Sequence, residues 1–142
     1  MLWVVRFACL LSLVWGQDLL QNSGMESLDH WHCFGIQCHV TSTRHSGSHA
    51  IQTSGRTQYY QGPGQKITLH PGRSYNVSAY ARLLNDHPGE LRQNMQIEVA
   101  VTFPDGTKQY INPANEPMAR KSDGWIHLKG DLNAPNRRKY IH

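Results

Sequence analysis

Long apolar runs, helical periodicity and charge of one sign are what this 142-residue sequence has least of. Charged residues make up 17% of it, 14 Lys and Arg against 10 Asp and Glu. That mild basic excess is spread along the chain, which argues against the concentrated positive surface that a nucleic acid requires. Past residue 16 no stretch approaches the roughly 18 consecutive apolar residues of a membrane span, so no membrane partner is expected. Twelve glycines, seven prolines and the lack of any heptad run exclude a coiled coil. There is no Gly-rich phosphate loop and no G-x-S-x-G nucleophile elbow. Glu26, Glu90, Glu98 and Glu116 fall in segments read as edge, loop or strand surface, without the facing carboxyl pair that glycoside hydrolysis needs. No catalytic residue is therefore assigned.

The apolar residues that do cluster lie at the start. Residues 1–16 are apolar except for Arg6, Ser12 and Gly16. Phe7 to Trp15 form a short apolar core behind Arg6, and Val14 and Gly16 stand where a signal peptidase reads. The segment is too short for a span and reads as a secretory signal, with the mature protein, secreted and extracellular, starting at Gln17; the alternative is a buried N-terminal helix. Secretion changes the meaning of the three cysteines. Cys9 departs with the signal, and the remaining pair, Cys33 and Cys38, is most simply a disulfide in an oxidising compartment. His30, His32 and His39 around that pair are dense enough to consider zinc, but the Cys spacing is unusual for a zinc site.

Residues 17–142 read as all-β. Met95, Ile97, Val99, Val101 and Phe103 alternate with mostly polar residues, the period-2 signature of a half-buried strand, and Pro104-Asp105-Gly106 turns the chain into a return strand at Lys108 to Asn112. From Ser74 to Leu84, Tyr75, Val77, Ala79, Ala81 and Leu83 point one way while Asn76, Ser78, Tyr80 and Arg82 point the other. Further strands are expected at Trp31 to Thr41, His49 to Ser54, Gln65 to Leu69, Trp125 to Asp131 and Lys139 to His142, separated by Gly, Pro and Asp turns. Short strands with regular turn signals point to a β-sandwich. Asn76-Val77-Ser78 is an N-glycosylation sequon on the outward register of its strand. The last residues resemble the beginning of a strand, so the sequence is expected to be a fragment of a longer protein.

Several local patterns then line up in order. Leu19-Leu20-Gln21-Asn22-Ser23-Gly24-Met25-Glu26 resembles the opening "N-L-(L)-x-N-x-G-F-E" of the carbohydrate-binding modules of families 4, 9 and 22, and Leu28-Asp29-His30-Trp31 is similar to the "L-x-x-W" that follows it. Arg44 to Ile51 resembles "A-H-S-G-x-x-S-L", Ser54 to Pro63 the "T-G-R-T-x-x-W-x-G-P" of the xylan-binding branch, Leu69 to Ala79 "L-x-P-G-x-x-Y-x-V-S-A", and Asp123 to Gly130 "x-G-x-W-x-x-L-x-G". The resemblance covers nearly all of the chain from Leu19 to His142.

What the resemblance implies is a secreted jelly-roll β-sandwich, short by a last strand of "Y-I-D-D-V" type, of the non-catalytic kind attached to xylanases and related glycoside hydrolases. It implies binding of a polysaccharide such as xylan or β-glucan. A sugar site needs aromatic platforms and polar groups along a groove. The matched positions are Arg56, Tyr60, Tyr110 and Tyr140, with Tyr60 replacing a stacking Trp and His142 replacing a hydrogen-bonding Glu; by its residues alone, Arg56 is equally a structural arginine bonded to loop carbonyls. The resemblance also implies a structural calcium ion near Glu26, Ser46 and Gly47. An alternative function is an extracellular matrix or biomineral-associated protein that reuses the fold for glycan contact or adhesion.

Overall fold

Alternation of apolar and polar side chains organises the central strands, and the structure, a computed structural model, describes residues 18–89 and 93–136 together with the backbone of Trp3–Arg6. Among the described residues nine strands follow in chain order: β1 (Trp3–Arg6), β2 (His32–Phe34), β3 (Gln37–Thr41), β4 (Ala50–Ser54), β5 (Gly62–Gly64), β6 (Ser74–Leu83), β7 (Met95–Thr102), β8 (Lys108–Glu116) and β9 (Ile126–Asn133). A five-stranded sheet has the order β3-β4-β1-β6-β9, and two ribbons, β2-β5 and β7-β8, complete the sandwich. All strand pairs are antiparallel. The fold is a jelly-roll β-sandwich, as the family resemblance implied.

β6 shows why the residues fall this way. Tyr75, Val77, Ala79, Ala81 and Leu83 are buried, and the intervening positions reach the opposite surface. Across the layer they meet Met95 and Ile97 of β7 and Ala114 of β8, with Leu128 and Leu132 of β9 alongside. This is the main core, and it seats the β7-β8 ribbon against β6 and β9. A smaller core, Met25, Trp31 and Ile51, lies where the entering loop packs on β4. The disulfide Cys33–Cys38 joins β2 to β3 and so ties one ribbon to the large sheet, with 6.2 Å between its Cα atoms.

The structure corrects the strand map in three places. The expected strand from Trp31 to Thr41 is two strands broken at Gly35-Ile36, because Gly35 adopts φ +68° and turns the chain. Gln65 to Leu69 is not a strand; the pairing falls earlier, on Gly62-Pro63-Gly64, opposite His32 to Phe34. Alternation in Gln65 to Leu69 had no partner strand to use it. β8 extends beyond Asn112 to Glu116, with a register shift against β7 between Ile97 and Val99. The strand expected at Lys139 to His142 lies outside the described residues, and Tyr140 with it. Trp3–Arg6, inside the segment that reads as a secretory signal, pairs with both β4 and β6 in the middle of the large sheet.

Candidate functional site

Asn22 organises the entering loop. Its side-chain amide donates to the carbonyls of Ser27 (2.9 Å) and Asp29 (3.0 Å), and its Oδ1 accepts the Glu26 N–H at 3.2 Å. The buried Trp31 indole donates to the Asn22 carbonyl at 2.9 Å. The loop so fixed aims Glu26 at the β3–β4 loop. The Glu26 carboxylate accepts the backbone N–H of Ser48 (3.0 and 3.1 Å) and of His49 (2.9 Å), and the His49 Nδ1 lies 3.5 Å away.

At the calcium candidates Glu26, Ser46 and Gly47 the structure shows a hydrogen-bonded loop. Calcium takes oxygen ligands. Here Glu26 is turned to N–H donors, and the Gly47 carbonyl accepts the Arg44 Nε at 2.8 Å, which puts a fixed guanidinium beside it. These bonds clamp the loop that carries Ser48 and His49. Of the zinc candidates His30, His32, Cys33, Cys38 and His39, the two cysteines are joined in the disulfide.

The sugar-site candidates divide. Arg56 is half-buried, and its Nε donates to the Gln61 carbonyl at 2.8 Å, with Nη2 turned to the same oxygen. Burial pulls its guanidinium below the ordinary arginine value, though an arginine stays charged. The Gln61 side chain in turn accepts the N–H groups of Thr57 (2.7 Å) and Gln58 (3.0 Å). Arg56 therefore braces the 56–61 loop. Tyr60 stands on that braced loop, 60% exposed, with Tyr59 set edge-on to it at 5.4 Å and 77% exposed. Tyr110 lies on β8 opposite Ala100 and is 61% exposed. The core lies behind Met95, Ile97 and Ala114 of this ribbon, so Tyr110 projects from its outer side.

Two aromatic residues were not singled out by the sequence reading. Tyr59 shares the exposed loop tip, and Phe34, 51% exposed, pairs across from Gly62 at the end of that same loop. The Tyr59-Tyr60 doublet between glycines was the available signal for the first. Phe34 had none, because strand alternation alone does not tell an apolar residue facing solvent from one facing the core.

Comparison with known proteins gives the family. The family model of a carbohydrate binding domain matches residues 17–140. The chain belongs to that carbohydrate-binding family. Among curated relatives, this domain is 29% identical over 98 residues to endo-1,4-beta-xylanase A of Thermoanaerobacterium saccharolyticum, covering 68% of this chain and 8% of that protein. It is 27% identical over 118 residues to exoglucanase XynX of Acetivibrio thermocellus, covering 80% of this chain and 11% of that protein. The chain thus spans about a tenth of the length of these relatives. Among solved structures, the C-terminal family 22 carbohydrate binding module of Clostridium thermocellum Xyn10B superposes with a TM-score of 0.61 at 20% identity, over 77% of this chain and 70% of that one. The N-terminal tandem of family 22 modules from Paenibacillus barcinonensis Xyn10C gives 0.65 at 22% identity, over 78% of this chain and 34% of that one. Both share the β-sandwich fold.

Proposed function

We propose that this domain is a secreted, non-catalytic polysaccharide-binding module that holds an attached xylanase-like glycoside hydrolase on plant β-glycans such as xylan or β-glucan. The observation that carries the reading is the exposure of three tyrosines, the Tyr59-Tyr60 pair and Tyr110, on a domain of the carbohydrate-binding family. Exposed rings of this size contribute nothing to the core and present flat apolar faces. A pyranose offers a matching C–H face, and its hydroxyls stay at the rim in water, so stacking desolvates little. Each platform contributes on the order of 1 kcal/mol, by analogy with aromatic pairs. Arg56 supports the site by fixing the loop that carries Tyr60. Tethering to an enzyme raises its effective concentration on an insoluble glycan without any new contact.

Affinity electrophoresis in gels containing neutral xylan or mixed-linkage β-glucan tests this. Tyr60→Ala and Tyr110→Ala should each weaken retardation by about tenfold or less. If no glycan retards the wild type, or if both variants migrate with it, the reading fails and the adhesive matrix role gains.

A further inference from the structure

The outer face of the large sheet carries a second cluster, in the layer opposite the ribbon that bears Tyr110. Tyr80 and His127 are cross-strand partners on β6 and β9, and their rings stack at 4.2 Å with 10° between planes. The β3–β4 loop brings His45 onto the other face of Tyr80 at 3.7 Å and 11°. Trp125, just before β9, sits edge-on to His45 at 5.8 Å, and the Arg82 guanidinium lies 5.7 Å from the centre of the Trp125 ring. Lys129, opposite Ser78, extends the same face by one cross-strand pair.

The cluster is rich in donors and poor in acceptors. In a parallel stack the ring N–H bonds lie in the ring planes and so radiate from the edge of the column. Among the described residues, the ring N–H groups of His45 and His127, the Tyr80 hydroxyl and the Trp125 indole N–H have no hydrogen-bond acceptor, and the Arg82 Nε is buried without one. Asp131 is two cross-strand pairs away, opposite Asn76. Arg44, next to His45, is turned to the Ser42 and Gly47 carbonyls of its own loop. The Arg82 Nε is enclosed, but the side chain as a whole is only half-buried, so a ligand would meet its Nη groups, and a charged acceptor suits a guanidinium best.

We infer that this His45–Tyr80–His127 column, with Arg82, Trp125 and Lys129, is a second glycan site that takes an acidic sugar, its carboxylate on Arg82 and its hydroxyls on the stack edge. The choice of a glycan as carrier of the carboxylate rests on the carbohydrate-binding reading, while the residues are independent of Tyr60 and Tyr110. The domain would then hold a uronate-substituted polysaccharide from both faces. Glu26 has a positioning role here, because its bonds to Ser48 and His49 pin the loop that delivers His45.

Affinity electrophoresis of the full chain in glucuronoxylan against neutral arabinoxylan tests the proposal. The wild type should be retarded about fivefold more strongly by the acidic polymer at low salt, and 0.5 M NaCl should abolish the difference. Arg82→Gln should remove that excess. His127→Ala, at an exposed position, should reduce it without threatening the fold. Tyr60→Ala should weaken both polymers alike and leave the excess in place. Equal retardation by both xylans, or an excess that survives both substitutions, overturns the proposal. Retention by heparin but not by polygalacturonate overturns the carboxylate assignment. If neutral xylan fails to bind while polygalacturonate binds through Arg82, the tyrosine site is wrong and this one stands.

Discussion

Gly130 is where β9 lies against the main chain of β8, and replacing it with alanine gives a test whose sign is decided by the structure. Gly130 lies on the inward register of β9 between Leu128 and Leu132, paired with Val77 of β6. A Cβ there would stand 2.8 Å from the carbonyl carbon of Pro113 on β8, and closer still to its oxygen. Ordinary carbon contacts need about 3.5–4.0 Å. The obstacle is main chain, so no side chain can swing aside, and β8 must move by about 1 Å. Overpacking of this kind costs about 1–3 kcal/mol, and a backbone clash belongs at the upper end. The backbone of Gly130 is outside the left-handed region, so alanine is conformationally acceptable. Without the clash, Gly130→Ala would stabilise by about 0.4–1 kcal/mol through the unfolded chain. A domain of this size loses roughly 4 °C of melting temperature per kcal/mol, so a fall of about 10 °C is expected by thermal melting. Pro113 is three residues from Tyr110, so neutral-xylan retardation should fall as well. A Gly130→Ala protein that melts at or above the wild-type temperature refutes the close approach of β8 and β9.

Three further outcomes are expected. Reducing the Cys33–Cys38 disulfide, or replacing both residues with serine, should cost about 2 kcal/mol for so short a loop, read as a lowered denaturation midpoint; an unchanged midpoint would mean that the bond does not tie β2 to β3. Residues 17–142 should melt below residues 1–142, because removing Trp3–Arg6 leaves the facing edges of β4 and β6 unpaired in mid-sheet; equal melting would show that the β1 pairing carries no stability. Asp86 accepts the Lys121 N–H at 2.7 Å and the Gln93 amide at 2.8 Å, and these bonds hold its carboxyl below the ordinary value. Its contribution is therefore present above the usual carboxylate range and is lost as pH falls through the lowered value. Asp86→Asn should flatten the acid limb of a melting-temperature profile, and an unchanged limb would contradict the assignment.

Much of this domain was legible from local pattern. The alternation in β6 and β7 named the buried residues Tyr75, Val77, Ala79, Ala81, Leu83, Met95 and Ile97, because a strand with one wet face shows its period directly. Cysteine pairing followed from number and compartment, and the family followed from six short motifs in order. What the sequence left undecided were matters of partner. Arg56 and Glu26 have the right chemistry for a sugar and a cation, and only the fold shows the first bonded to the Gln61 carbonyl and the second to the amides of Ser48 and His49. The strand at Gly62 to Gly64 carries no strand signal and exists because β2 lies beside it. His45, Tyr80, Trp125 and His127 are far apart in the chain, and each alone reads as an ordinary surface residue. Hydrophobic period is a property of one segment and survives in one dimension. Hydrogen-bond satisfaction and ring stacking mostly belong to pairs of segments, and only strand pairing and the placement of loops bring those segments together.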